Sequence, residues 1–314
     1  MRPFSLLVKP AGADCNIDCP YCFYRPKASL HPVPHPRMDA AVLERMMATY
    51  TALPMASHAI AFQGGEPLLA GLDFFRRAAA LGPGVDFSIQ TNAILADPET
   101  ARFLADGKWL VGVSPHFRSA AFRKGYDTLV SAGAAVNVLQ LVTREIAGDP
   151  AGTYHYIRDD LKCLNHQYIE CTWPERHAVG AREWGDFMIG VFDEWYRCGD
   201  VHRVSVRTFD SIVSELVLGH PTLCSFSGDC RHYLVVEANG DVYPCDFYVE
   251  PALRLGNVME NTWEEMLSSP KYAAFGARKR SHADCPRNRD RLDEGWRRFY
   301  AHALPFLKQV AATL

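Results

Sequence analysis

No run of residues in this chain is apolar for long enough to cross a membrane as a helix, which takes about 20 consecutive apolar positions. Neither sign of charge dominates. There are 33 Lys and Arg against 36 Asp and Glu, a net charge of −3. That balance provides no basic face for nucleic acid and no polybasic segment for a lipid surface, so neither is expected as a partner. Low-complexity tracts and internal repeats are missing. Near the start, 4–8 is a short apolar patch between Arg2 and Lys9 with no small-residue cleavage site after it. No export signal is read there, and a cytoplasmic location is expected.

Cysteine is abundant: 10 in 314 residues, many for a chain expected to stay in a reducing compartment. Three of them form Cys15-x3-Cys19-x2-Cys22. Zinc sites, disulfide frameworks and iron–sulfur clusters all use cysteines at close spacing. Three neighbouring thiols cannot all pair with one another as disulfides, and no second Cys/His pair of zinc-site spacing follows Cys22 closely. They can hold three corners of one iron–sulfur cube. The fourth iron is then left open to bind and activate a small molecule. A second set, Cys224-x5-Cys230-x14-Cys245, is a structural zinc site or another cluster, with Cys285 the only further cysteine after it. Cys163, Cys171 and Cys198 fall in no pattern and read as buried small hydrophobes.

Short apolar runs alternate with amphipathic stretches over the first half of the chain. Strands are expected at 5–9, 58–63, 86–91, 110–114, 135–142 and 167–171. A helix opens at Asp39, with Leu43, Met46, Met47 and Tyr50 at helical spacing. Weaker helical patterns cover 71–80, 98–105, 126–132 and 153–161, and a further one covers 184–197. This alternation predicts an α/β fold in which six βα units form a partial, TIM-like barrel, (β/α)6, with chemistry at the C-terminal ends of the strands. The first cysteine run directly follows the first strand. After about residue 215 the character changes. Asn239-Gly240 between 233–238 and 241–243 signals a hairpin, and 295–312 reads as an amphipathic helix. The expected division is 1–215 for the barrel and 216–314 for a small metal-bearing domain.

The Cys15–Cys22 run, with Tyr21 before its last cysteine, resembles the signature of the radical S-adenosylmethionine (SAM, AdoMet) enzymes. In that family the open iron of a [4Fe-4S] cluster chelates the methionine moiety of SAM. One electron then releases a 5′-deoxyadenosyl radical. Further matches follow the expected strands. Gly64-Gly65-Glu66-Pro67 resembles the motif whose backbone and carboxylate hold the SAM amino group. Gln90-Thr91-Asn92 resembles the segment near the ribose, and Ser114 a residue touching SAM. The resemblance implies a cation for the SAM carboxylate, here Arg123 or Lys124, and residues lining the radical's path, here Tyr24 and Gln63. The plain alternatives for these positions are a tight turn, polar strand ends and solvated surface charges.

The later cysteines resemble a SPASM domain, which implies one auxiliary [4Fe-4S] cluster on Cys224, Cys230, Cys245 and Cys285, the last within Cys285-Pro286-Arg287-Asn288-Arg289. Within the superfamily the chain is similar to the anaerobic sulfatase-maturating enzymes over nearly its whole length. The shared segments include Gly71-Leu72-Asp73-Phe74-Phe75 and Tyr243-Pro244-Cys245-Asp246-Phe247-Tyr248-Val249. Those relatives oxidise a Cys or Ser of a sulfatase to formylglycine. The radical removes a Cβ hydrogen, and a base, here Asp246, takes the thiol or hydroxyl proton as an electron leaves. A flavodoxin or ferredoxin reductant is implied. The same resemblance leaves open a maturase of small ribosomal peptides that forms thioether or carbon–carbon crosslinks. A non-catalytic iron–sulfur or zinc protein is the reading from another class. The chain departs from the family in three respects. Pro115-His116-Phe117-Arg118 stands where a Leu-Asp-Gly-Pro…His-Asp stretch is usual. A C-x2-C-x5-C run for a second auxiliary cluster is absent. Asp293 stands near the place of that cluster's late cysteine.

Overall fold

The computed structural model describes residues 3–30, 33–115, 118–278 and 292–313. The chain forms two compact units, Met1–Val136 with Asp229–Lys279, and Asn137–Gly228 with Arg280–Leu314. These units are interleaved along the chain, a different division from the change of sequence character near residue 215.

In the first unit, β1 (Ser5–Val8), β2 (Ala59–Phe62), β3 (Asp86–Thr91) and β4 (Leu110–Val113) pair in parallel in that order. Three helices lie between them, α1 (Ala40–Thr51), α2 (Leu72–Leu81) and α3 (Pro98–Asp106), and α4 (Ala120–Ser131) follows β4. Asp39 caps α1 by accepting the Val42 N–H at 2.8 Å, as its sequence predicts. The buried face of α1 is Val42, Leu43, Met46, Met47 and Tyr50. The Tyr50 hydroxyl donates to the Phe4 carbonyl at 2.8 Å and ties that face to the start of β1. Under α2 and α3, Phe62, Phe87 and Trp109 stack with centroids 4.7–6.1 Å apart.

The second unit holds most of β5 (Ala135–Val142), then α5 (Arg144–Ala147), α6 (Pro150–His155), β6 (Asn165–Glu170), α7 (Ala181–Arg197), β7 (Ser205–Val206) and α8 (Arg207–Leu218). β5, β6 and β7 are parallel neighbours. A π-helical turn, Tyr156–Asp160, replaces the later part of the helix expected at 153–161. The strand expected at 167–171 runs Asn165–Glu170 instead.

Back in the first unit, β8 (Tyr233–Val236) and β9 (Asp241–Tyr243) form the hairpin signalled by Asn239-Gly240, with Gly240 at φ +84°. β10 (Gly256–Asn257), α9 (Trp263–Ser268) and α10 (Pro270–Arg278) follow. The hairpin is not a free-standing module. β8 pairs in parallel with β1, Leu6 opposite Leu234 and Val8 opposite Val236, so it extends the barrel strands on the open edge of β1. In the second unit α11 (Asp293–Ala311) packs on α7 and α8 through Trp184–Trp296, Phe192–Phe299 and Phe209–Phe299 contacts. Among the described residues no helix is long and apolar enough to cross a membrane.

Candidate active site

Parallel pairing puts the C-terminal ends of β1, β2, β3, β4 and β8 at one end of the first unit, and the expected site residues lie just past those ends. After β1 comes the loop with Cys15, Cys19 and Cys22, all half-buried and all free thiols. The Cys22 N–H donates to the Cys19 carbonyl at 3.2 Å, closing a turn that carries the half-buried Tyr21. Burial, with the neighbouring Cys22 and Cys15 acting the same way, pushes the Cys19 thiol up to about 12. Burial also raises Cys15. Partly buried thiols that oppose one another's ionisation become thiolates together only around a cation. This donor set therefore suits an iron–sulfur cluster.

The Gly64-Gly65-Glu66-Pro67 turn after β2 is fastened to this loop. Gly65 N–H donates to Gly12 O and Glu66 N–H to Asp14 O, both at 2.8 Å. A Cβ on Gly65 would lie 1.8 Å from the Asp14 carbonyl oxygen. One on Gly64, whose φ is +133°, would lie 2.6 Å from Gly12 O. The two glycines thus let two loops meet backbone to backbone. Glu66 is 1% exposed. It accepts from Leu68 N–H at 3.0 Å, the Thr91 hydroxyl at 2.8 Å and Asn92 N–H at 2.9 Å. The carboxylate that the resemblance assigns to the SAM amino group is thus engaged in knotting the β2 turn to the end of β3. Burial raises its pKa to about 7 against these hydrogen bonds.

Asn92 adds a third tie. Its amide donates to Asn16 at 2.7 Å and lies 3.8 Å from the Cys15 sulfur. Gln90 donates to the Ser114 hydroxyl at 2.9 Å, joining the ends of β3 and β4. Gln63 is half-buried at the end of β2, with its N–H on the Val8 carbonyl at 2.9 Å. Cys15, Cys19, Cys22, Gln63–Glu66, Gln90, Asn92 and Ser114 therefore share one end of the unit. Arg123 does not join them. It is exposed on α4 and forms a two-oxygen ion pair with Asp127 at 2.8 and 2.9 Å, and Lys124 beside it is exposed too. Both positions fit the solvated helix face that was their plain alternative.

The β8–β9 hairpin brings Cys245 of the second cysteine set to the same unit, with Cys230 just before β8. Tyr24, 2% exposed, packs with Val235, Tyr243 and Val249, and Cys22 and Phe23 lie against that cluster. Phe23 stacks on Phe247 with centroids 4.4 Å apart. The first cysteine loop therefore touches the turn that carries Cys245 and Asp246. The Tyr24 hydroxyl donates to Glu237, and the Tyr233 hydroxyl lies 2.9 Å from Asp246 Oδ1 and 3.2 Å from the Cys245 sulfur. Cys230 is half-buried in this unit, Cys224 is half-buried in the second unit, and Cys285 lies outside the described residues. Asp293 opens α11 and pairs with Arg297, as an acid in a first helical turn does.

Two features were missed in the sequence. Lys9, buried beside Tyr24, is one; a lysine closing an apolar strand gives no sign of burial. The other is a cluster of His155, Glu194 and Cys198, whose ligand atoms lie within 4.8 Å of one another. Arg197 pairs with Glu194 at 2.5 Å, and His155 reaches Glu194 at 2.9 Å and Asp159 at 2.8 Å, so His155 and Glu194 belong to an ion-pair network.

Residues 10–127 match the radical SAM superfamily, and 224–287 match SPASM, an iron–sulfur cluster-binding domain. The fold and the site thus define a radical SAM enzyme with a SPASM domain, dependent on AdoMet and iron–sulfur clusters. The cysteine-type anaerobic sulfatase-maturating enzyme of Clostridium perfringens (strain 13 / Type A) is 35% identical, the match covering 88% of this chain and 83% of that protein. A serine-type anaerobic sulfatase-maturating enzyme, from Bacteroides thetaiotaomicron, is 28% identical, covering 98% and 91%. The solved structure described as native anSMEcpe with bound AdoMet and Kp18Cys peptide aligns at a TM-score of 0.90 and 29% identity over 100% of both chains. The chain belongs to the anaerobic sulfatase-maturating enzymes.

Proposed function

We propose that this chain oxidises a Cys or Ser side chain of a sulfatase to formylglycine, working in the cytoplasm with a flavodoxin or ferredoxin as reductant. The observation that carries this reading is the contact, within one unit, between the Cys15–Cys22 loop and the Cys245–Asp246 turn, through Phe23 on Phe247. A group that starts a radical and a group that takes up a proton are thereby side by side.

Cys15, Cys19 and Cys22 hold the SAM-binding cluster, and Cys224, Cys230, Cys245 and Cys285 the auxiliary one. Bound AdoMet supplies the radical that removes the Cβ hydrogen. The residues of the chain do the rest. The backbone of Gly64 and Gly65 lines the AdoMet amino group, placed there by the Glu66 knot. Gln90, Asn92 and Ser114 frame the ribose and methionine side, and Tyr21 closes the cluster loop. Gln63 and Tyr24 wall the path between the radical and the substrate. Burial, then Glu237, raises the Tyr24 phenol well above its usual range, so it stays neutral. Asp246 takes the thiol or hydroxyl proton. Its Oδ1 is engaged by Tyr233, and Oδ2 is the oxygen we assign to the substrate. A carboxylate fixed in this way needs no reorganisation as the proton moves.

Streptococcus suis SuiB bound to its precursor peptide shares the fold at a TM-score of 0.62 and 14% identity, a likeness of fold alone. The test uses a peptide containing Cys-x-Pro-x-Arg or Ser-x-Pro-x-Arg, deuterated at the target Cβ. Deuterium appearing in 5′-deoxyadenosine supports the reading, and AdoMet cleavage without deuterium transfer from either peptide sinks it.

A further inference from the structure

Lys9 follows the last residue of β1 and is 1% exposed, among the most deeply buried large side chains of the chain. A buried ammonium is tolerated only with compensating charge. Its neighbours supply that charge and little else. The loop after β1 offers Cys22, the end of β8 offers Glu237, and the turn after β9 offers Cys245 and Asp246. The ammonium sits 4.3 Å from the centroid of the Tyr24 ring, on its negative face. That ring is fixed in turn by its hydroxyl on Glu237. On the β2 side stands Gly64, where a Cβ would come within 3.2 Å of Lys9 Cδ, so the lysine stem runs under the AdoMet turn. Burial lowers the Lys9 pKa, while Asp246, Glu237, Cys245 and Cys22 all oppose that fall.

We infer that Lys9, whose ammonium lies on the Tyr24 ring of the cluster that Cys22 packs against and whose backbone N–H donates to Val236 of the hairpin that carries Cys245, is a shared buried counter-ion for the two cysteine sets, and that it favours the reduced state of the clusters they bind. The inference rests on the cluster ligands assigned under Proposed function. Reducing a cluster adds one negative charge, and a fixed cation nearby stabilises the more negative state and raises the midpoint potential. Glu237, a carboxylate beside the same Tyr24 ring, acts in the opposite direction. Lys9 is thus a positioning residue, acting through the clusters rather than on the substrate.

The test is an EPR-monitored redox titration of the anaerobically reconstituted protein, with no peptide present. Wild type is compared with Lys9→Met, Lys9→Arg and Glu237→Gln. Lys9→Met, which keeps the bulk, is expected to lower both midpoints by an amount equivalent to about tenfold in the reduction equilibrium, about 59 mV for one electron. Lys9→Arg is expected to restore them, and Glu237→Gln to raise them. A purely structural role does not produce opposite signs from opposite charges. Wild-type midpoints in folded Lys9→Met overturn the inference. If Lys9→Met does not fold, Glu237→Gln decides: an upward shift supports the inference and no shift overturns it. Iron analysis of the wild type separates this from the functional reading. A chain with one cluster only overturns the shared role, whereas two clusters without peptide oxidation remove the proposed activity and leave Lys9 standing or falling on its potentials.

Discussion

Replacing Glu66 with glutamine tests the knot that holds the Gly64-Gly65-Glu66-Pro67 turn. Glu66 is 1% exposed, and burial raises its pKa from 4.5 to about 7. Because the folded-state value is the higher one, the folded protein binds the proton more tightly than the unfolded chain. The associated stability is full below pH 4.5 and is lost as pH rises through about 7. Over the whole window it amounts to about 3 kcal/mol. Between about pH 6 and about pH 8, where the experiment is practical, about 1 kcal/mol is lost. Glutamine cannot ionise, so Glu66→Gln lacks this slope. It also turns an amide NH2 toward an N–H, either that of Asn92 or the Leu68 N–H and Thr91 hydroxyl pair, a pH-independent penalty of about 1–3 kcal/mol. Anaerobic urea unfolding of both proteins at the two pH values, at constant m, gives the difference with other titrations cancelled. The stability of wild type relative to Glu66→Gln is expected to fall by about 1 kcal/mol from the lower pH to the higher. A difference independent of pH would refute the account of Glu66 as a carboxyl ionising against its burial.

Further predictions concern the loops and the chemistry. Gly65→Ala places a Cβ 1.8 Å from the Asp14 oxygen, so the two loops must separate. About 100-fold lower kcat/KM with a folded protein is expected, and wild-type kinetics would contradict the close approach. Asp246→Asn is expected to slow product formation by about 100-fold or more while AdoMet is still cleaved, as measured by 5′-deoxyadenosine released per aldehyde formed; a parallel fall in both would argue against the proton-acceptor role. Changing Cys15, Cys19 and Cys22 together to alanine should lower iron from about 8 per chain to about 4, and a residue of zinc in place of the remaining iron would leave the later domain structural.

Much of this architecture could be read from sequence because its signals are local. Asp39 before Leu43, Met46, Met47 and Tyr50 marks α1, and Asn239-Gly240 marks the hairpin, each signal contained in a few residues. The cysteine run and the Gly-Gly-Glu-Pro turn fall at the ends of successive expected strands. What failed was non-local. The pairing of β8 with β1 joins residues more than 200 positions apart and no periodicity announces it. Lys9 reads as an ordinary polar strand end until Tyr24 and Glu237 close over it. The resemblance asks for a cation at Arg123, whereas its i,i+4 relation to Asp127 marks a solvated helix pair. The short helix α9 carries its own local signal, a capping box of Thr262 and Glu265 contained in four letters.

The central claim is that radical chemistry started at Cys15, Cys19 and Cys22 ends on a substrate side chain held near Asp246. Its most direct test is the mass spectrum of Cys-x-Pro-x-Arg and Ser-x-Pro-x-Arg peptides after incubation with the reconstituted, reduced protein and AdoMet. The account predicts an aldehyde at the Cys or Ser position, captured by a hydrazide probe. Loss of two hydrogens with a crosslink and no aldehyde would contradict it and point to a peptide-crosslinking maturase.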